Sequence, residues 1–318
     1  MKYVTFVKQH PCVQLAHLYE HLFISAATEY LYCHNQYKLL DYALHGETYE
    51  PGIIIIHGEC YHTKTENFLE SVVSARVNVS RENPGYISVT RATSQLYAEE
   101  SQKLFVGNTD MIIRELELLD NQPWHNLDSV DTLPKAMTND KNLADLIYET
   151  NQPANKKSTI HLQLQIDSQP TERRVLWREL ARFISISIGQ KICHNFGMYF
   201  NEESAKDNDT FAVSTSVFSV DPYACPKINM TEIIATTTQT LTAITTPEVL
   251  KRFSNYLTSL SFTNNPLLAP DSSRIAQEFG MIIGAAGWKK LATMENLQEV
   301  LGETRISFRY KNNTIRIE

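Results

Sequence analysis

Apolar positions along this chain switch repeatedly between two spacings, and each spacing predicts an element. Alternation of apolar and polar residues marks a half-buried strand, whereas recurrence at three and four residues marks one face of a helix. Residues 2–7 are β-branched and aromatic enough for a short opening strand. A helix is predicted to open near Gln14 and to run towards Tyr37 or beyond. Residues 45–52, with Gly46, Pro51 and Gly52, read as a turn-rich connection. Residues 53–61 start with four isoleucines and predict a strand covered on both faces near its beginning. Phe68, Val72, Val73 and Ala75 give helical spacing across 64–77. A Pro/Gly break at 81–85 precedes a run of helix formers over 88–106, then an amphipathic helix over 110–120 carrying Met111, Ile112, Leu116 and Leu119. Residues 121–139 hold Pro123 and Pro134 and read as loop, and 140–149 as a short helix.

Residues 151–158 read as a linker, dividing the chain into 1–155 and 156–318. The second part then restarts the pattern. Ile160, Leu162, Leu164 and Ile166 alternate cleanly through a predicted strand at 159–167. A helix is predicted over 172–188, and a second alternating strand over 210–220 with Phe211, Val213, Thr215 and Val217. Helices are predicted over 232–244, over 247–260 with Pro247 in its first turn, and over 294–301. Residues 305–310 and 314–317 flank Lys311 to Asn313 as a hairpin. Both parts mix strands and helices, which predicts an α+β fold.

Composition narrows the picture. The 318 residues are 42% hydrophobic and 20% charged, those of an ordinary globular protein. A net charge of −7 and the lack of a basic run argue against a nucleic-acid partner. The five cysteines (Cys12, Cys33, Cys60, Cys193 and Cys225) are odd in number and form no CxxC pair, as expected of reduced thiols. No apolar run approaches the ~20 residues of a membrane span, and no apolar core with a small-residue cleavage site opens the sequence. A cytoplasmic location without membrane contact is the expectation.

The candidate chemistry sits inside the first helix, at His17-Leu18-Tyr19-Glu20-His21. Residues three and four apart share a helix face, so both imidazoles and the carboxylate lie on one wall. Two neutral imidazoles can hold a zinc ion, and a carboxylate between them can take a proton from a zinc-bound water. The order His-x-x-Glu-His is the inverted form of the commoner zinc-protease helix. Such a pentapeptide arises in roughly 2 of 100 shuffled chains of this composition, so supporting features decide its weight. A catalytic zinc needs a third protein ligand, which must come from elsewhere in the fold.

The pentapeptide resembles the motif of the pitrilysin-type metallopeptidases, the family of insulin-degrading enzyme and the mitochondrial processing peptidase. That resemblance implies a third ligand from a Glu on a second helix. Glu99 stands at the matching separation, with its neighbour Glu100 as the alternative. It also implies two related α/β repeats in a processing-peptidase-like arrangement enclosing a cleft, with residues 1–155 as the zinc-binding catalytic repeat and 156–318 as its partner. Gly46, the 53–61 strand and the 64–77 helix follow the family order of a glycine-led turn, an edge strand lining the cleft, and a helix. Asn195 to Tyr199 looks like the stretch in which family members place a Tyr and a basic residue against the substrate carbonyl. Tyr199 and Lys191 match those parts, with Lys where the family prefers Arg. The chain departs from the family at Ala92 and Thr93, where a further Glu is common, and near Thr48, where an Asn-Ala pair is missing. It is also shorter than typical members. The implied function is a zinc endopeptidase with Glu20 as general base, acting on a peptide added as a strand; a homodimer or partner subunit is implied by the pairing of repeats. The rival of another class is a non-catalytic homologue that binds peptides or supports a partner.

Other motifs carry less. His57 and Glu59 share one strand face, and Cys60 and His62 the other, which reads as a polar strand face. His34 and His45 read as surface histidines. No Gly-x-Ser-x-Gly elbow is present, and residues 284–287 lack the ending of a phosphate loop.

Overall fold

The computed structural model describes residues 2–60, 72–77, 104–107, 109–126, 147–150, 157–196, 198–201, 209–218, 227–259, 275–311 and 313–317. They form mixed helix and sheet, an α+β chain. The chain divides into two compact units. One comprises Met1–Ser158, His194–Tyr199 and Val217–Lys227; the other comprises Thr159–Cys193, Phe200–Ser216 and Ile228–Glu318.

The first unit runs β1 (Lys2–Gln9), α1 (Val13–Cys33), β2 (Tyr42–Tyr49), β3 (Ile53–Cys60), β4 (Leu104–Gly107), α2 (Thr109–Asn121), β5 (His125–Asn126) and β6 (Ile147–Thr150). Its main sheet has the order β2-β3-β1-β5, and β4 with β6 forms a separate two-stranded ladder. Antiparallel register joins β1 to β3 from Lys2↔Cys60 to Gln9↔Ile53, and β2 to β3 from Tyr42↔Cys60 to Tyr49↔Ile53. On β3, Ile54, Ile56, Gly58 and Cys60 are buried while their alternate neighbours are half-buried. That alternation is what one covered face requires. Helix α1 buries Leu15, Leu18, Tyr19, Leu22 and Phe23 in the same core as Phe6, Ile54, Ile56 and Leu116.

Helix α1 stops at Cys33, at least four residues short of its predicted end at Tyr37 or beyond. Asn35 adopts φ 58°, a left-handed conformation that cannot continue the helix. Its N–H bonds the carbonyl of Tyr32 at 3.0 Å, and the N–H of Gln36 bonds that of Leu31 at 2.9 Å. These two bonds are the Schellman closure, which satisfies carbonyls that would otherwise lack partners.

Several other expectations are corrected. Residues 45–49 belong to strand β2, and the turn is confined to Glu50, Pro51 and Gly52. Gly46 therefore lies within a strand. The 53–60 strand is internal, between β2 and β1, and among the described residues β2 takes the outer position. Residues 104–106 and 147–149, expected as helix, lie in the paired strands β4 and β6. Cross-strand pairing, which no local pattern reveals, overrides the helix-forming composition there. His125 and Asn126, expected as loop, pair with β1. Of the expected 64–77 helix, residues 72–74 are helical and 61–71 fall outside the described residues, as do 88–103, 127–146 and 151–156.

The second unit contains β7 (Lys157–Gln165), α3 (Thr171–Phe196), β8 (Met198–Asn201), β9 (Thr210–Phe218), α4 (Met230–Ile244), α5 (Pro247–Ser259), α6 (Ala285–Leu291), α7 (Met294–Gly302), β10 (Arg305–Tyr310) and β11 (Asn313–Ile317). Lys157 and Ser158 at the start of β7, the end of α3 with the start of β8, and Val217 and Phe218 at the end of β9 are assigned to the first unit. The sheet order is β11-β10-β7-β9-β8. Helix α3 outlasts its predicted end at 188 by a further two turns, despite Gly189. Burial continues past that point, with Gly189 and Ile192 buried in line with Leu180, Phe183, Ile184 and Ile188. Packing offsets the roughly 1 kcal/mol that a helical glycine costs. Arg178 is buried with them, paired to Glu278 at 3.1 Å and donating to the carbonyl of Thr210 at 2.7 Å.

The two sheets share one order of strands. Counted from the first strand of each, the first sheet runs second, third, first, fourth. The second sheet, read from β8, runs second, third, first, fourth, fifth. In each, the first strand leads into the longest described helix of its unit.

Candidate metal centre

The phase of α1 is set by Tyr19. Its hydroxyl donates to Asp120 Oδ1 at 2.8 Å and accepts from Lys8 Nζ at 3.0 Å. Lys8 also donates to the carbonyls of Leu119 at 2.8 Å and Asp120 at 3.2 Å, at the C-terminal end of α2, where a cation is favoured. Its ammonium lies 4.6 Å from the Trp124 ring. Burial pushes Lys8 down to about 8, against the opposing pull of Asp120. Burial, with Asp120 beside it, pushes the Tyr19 phenol up. At 100° per residue, His17 and His21 each lie about 200° around the helix from Tyr19. Anchoring Tyr19 inward therefore turns both histidines away from this part of the core.

His17 and His21 are half-buried, one helical turn apart, and their Nε2 atoms approach to 3.1 Å. Their ring centroids are 4.8 Å apart with planes tilted by 34°. Two nitrogens bound at the usual zinc distance in a tetrahedral site stand about 3.3 Å apart. The pair therefore fits two corners of such a site. The same separation accommodates an imidazole–imidazole hydrogen bond, with one Nε2–H donating to the other.

Glu20 lies between them in sequence and is 6% exposed. Its Oε2 accepts a hydrogen bond from the Thr48 hydroxyl at 2.7 Å. Across from it, Gly46 leaves room for the carboxylate. A Cβ added there would meet Glu20 Oε1 at 2.5 Å, Ile24 Cδ1 at 2.6 Å and Glu20 Cγ at 2.7 Å. Gly46 and Thr48 are two apart on β2 and so face the same side.

Of the other expected site residues, Glu99 and Glu100 lie outside the described residues. Among the described residues, no group of three or more His, Cys, Asp and Glu side chains could hold a metal. Lys191 is half-buried on α3, and Tyr199 lies on β8 with its side chain outside the described residues. His57 Nδ1 meets Thr5 Oγ1 at 3.3 Å across the β1–β3 pair, and His34 and His45 are exposed. Cys12, Cys33 and Cys60 are not joined in disulfides. The sequence pattern missed Thr48 and Gly46 as neighbours of Glu20. The alternation of Tyr42, Leu44, Gly46 and Thr48 was the available signal, masked by the turn-forming residues that follow.

No family model and no curated protein matches this chain. Among the solved structures that bear some likeness to it are two proteases. One is the ferredoxin protease FusC, a mutant form in complex with Arabidopsis ferredoxin, at 10% identity and a TM-score of 0.28. This chain is covered over 95% of its length there but spans only 40% of that protein. The other is a protease from Helicobacter pylori, at 11% identity and a TM-score of 0.32, with 96% of this chain and 93% of that one covered. With identities and TM-scores this low, the functional reading rests on the residues themselves. Among the described residues, no helix is long and apolar enough to cross a membrane.

Proposed function

We propose that this chain is a zinc-dependent endopeptidase of the inverted-motif type. The observation that carries the reading is the convergence of the His17 and His21 Nε2 atoms to 3.1 Å beside a buried Glu20 on the same helix. His17, His21 and Glu99, with Glu100 as the alternative, would hold the ion. Zinc in such a site supplies Lewis acidity, acidifying a water and polarising a carbonyl. Glu20 accepts the proton of the attacking water and returns it to the leaving amine. Tyr199 and Lys191 act on the substrate carbonyl in this reading. The peptide is held as an added strand on β2, the outer strand of its sheet among the described residues. The shared strand order of the two sheets supports two related repeats, with the catalytic one at 1–155 and its partner at 156–318.

The test uses the full chain, a quenched peptide and metal analysis. One zinc per chain is expected, with cleavage lost to a chelator and restored by added zinc. Glu20→Gln is expected to keep the metal and to lower turnover by about a hundredfold to ten-thousandfold. Undiminished cleavage by that variant sinks the reading. Peptide binding without zinc or cleavage would favour the non-catalytic homologue.

A further inference from the structure

Strand β2, an outer strand of its sheet among the described residues, meets Glu20 in two places. Thr48 donates its hydroxyl to Oε2 at 2.7 Å. Gly46 presents no side chain to Oε1 or Cγ, where a Cβ would come within 2.7 Å of both. One contact fixes an oxygen, and the other keeps the space that the rest of the carboxyl group occupies. Without the hydroxyl, Oε2 loses its fixed donor and the three-torsion side chain regains rotamer freedom. With a Cβ at position 46, the Glu20 head and the Ile24 Cδ1 methyl, met at 2.5 and 2.6 Å, must both give way, and each is the flexible end of its side chain.

We propose that Thr48 is a positioning residue that, with Gly46, holds the Glu20 carboxylate in its proton-accepting orientation. The catalytic consequence rests on the peptidase reading above, whereas the hold on Glu20 does not. Thr48 needs no contact with a metal or a substrate for this role. A proton acceptor must sit within hydrogen-bond reach of the proton it takes, and small misplacements of a reacting group are costly in rate. The same strand is the one to which the peptide is proposed to add, so one element aligns both base and substrate.

The experiment compares Thr48→Val, which keeps the shape and removes the donor, with Thr48→Ser, which keeps the donor. The first readout is independent of activity. In metal-free protein labelled at Glu side-chain carboxyl carbons, the Glu20 resonance is assigned by its loss in Glu20→Gln. It is expected to shift in Thr48→Val and to return in Thr48→Ser. The second readout is steady-state cleavage of a quenched peptide. Thr48→Val is expected to lower kcat by about 10- to 100-fold, with KM, zinc content and melting temperature little changed, and Thr48→Ser to recover most of the loss. Gly46→Ala is expected to lower kcat in the same way while the chain stays folded. An unshifted Glu20 resonance in Thr48→Val overturns the proposal, as does an unchanged kcat or a loss that Ser does not rescue. If the wild-type chain cleaves nothing while the resonance still moves, the peptidase reading falls, and with it the catalytic role, but the hold on Glu20 stands.

Discussion

At the scale of single residues, the candidate site is two imidazoles and a carboxylate whose positions depend on atoms that are missing as much as on atoms that are present. Gly46 matters because a methyl group would occupy the place of the Glu20 carboxylate. Gly52 matters for two reasons at once. Its φ is 92°, and an added Cβ would drive into the backbone carbonyl of His10, to which β2 and β3 are tied because the His10 N–H donates to the Gly52 carbonyl at 2.9 Å. An L-residue meets both a strained backbone and an immovable neighbour there. Gly52→Ala is therefore expected to destabilise the protein by more than about 1 kcal/mol, read as a lower melting temperature. The same substitution at Gly46 is relieved by a flexible side chain, so its effect should appear in turnover instead.

At the scale of elements, the contact between α1, β1 and the end of α2 decides which way the motif points. Lys8 from β1 binds the last carbonyls of α2 and the Tyr19 hydroxyl of α1, all out of water. This arrangement makes stability depend on pH in the alkaline range. Lys8 in the folded chain titrates at about 8 against 10.5 in its unperturbed form. Between those values the unfolded chain holds a proton that the folded chain has released, so stability rises with pH. Tyr19 and Tyr42 are pushed above 10.0, chiefly by burial. Above that value the folded chain keeps protons that the unfolded chain loses, and stability falls. Urea midpoints are expected to rise from pH 7 to about pH 9 and to drop again by pH 11. Lys8→Met should abolish the rise and leave the fall. A midpoint that declines steadily from pH 7 in the wild type would contradict this account.

At the scale of the whole molecule, charge and the repeated order of strands are the informative features. A chain with net charge −7 and an isoelectric point near 5.8 repels nucleic-acid phosphates at neutral pH. It is expected to pass through an immobilised-heparin column at low salt, and its solubility minimum should fall near pH 5.8, where the net charge vanishes. Retention on heparin that fades with salt would show a basic surface that the composition conceals. The shared second–third–first–fourth order of the two sheets is a property of no single residue. It emerges only when long-range pairs such as β1 with β3 and β7 with β10 are in place.

The sequence by itself determined the pieces whose signal is local. The alternation of Ile160, Leu162, Leu164 and Ile166 marks β7, the spacing of His17, Glu20 and His21 puts them on one helix, and the hairpin around Lys311 stands where its turn residues lie. Such patterns depend only on how a strand or helix repeats along its own axis. The tertiary structure alone decided that 104–107 and 147–150 are strands, that β3 is flanked on both sides and β2 is outer among the described residues, and that Thr48 reaches Glu20. Each of these depends on a partner distant in the chain. Its pairing or packing energy outweighs the small local preferences that sequence periodicity reports.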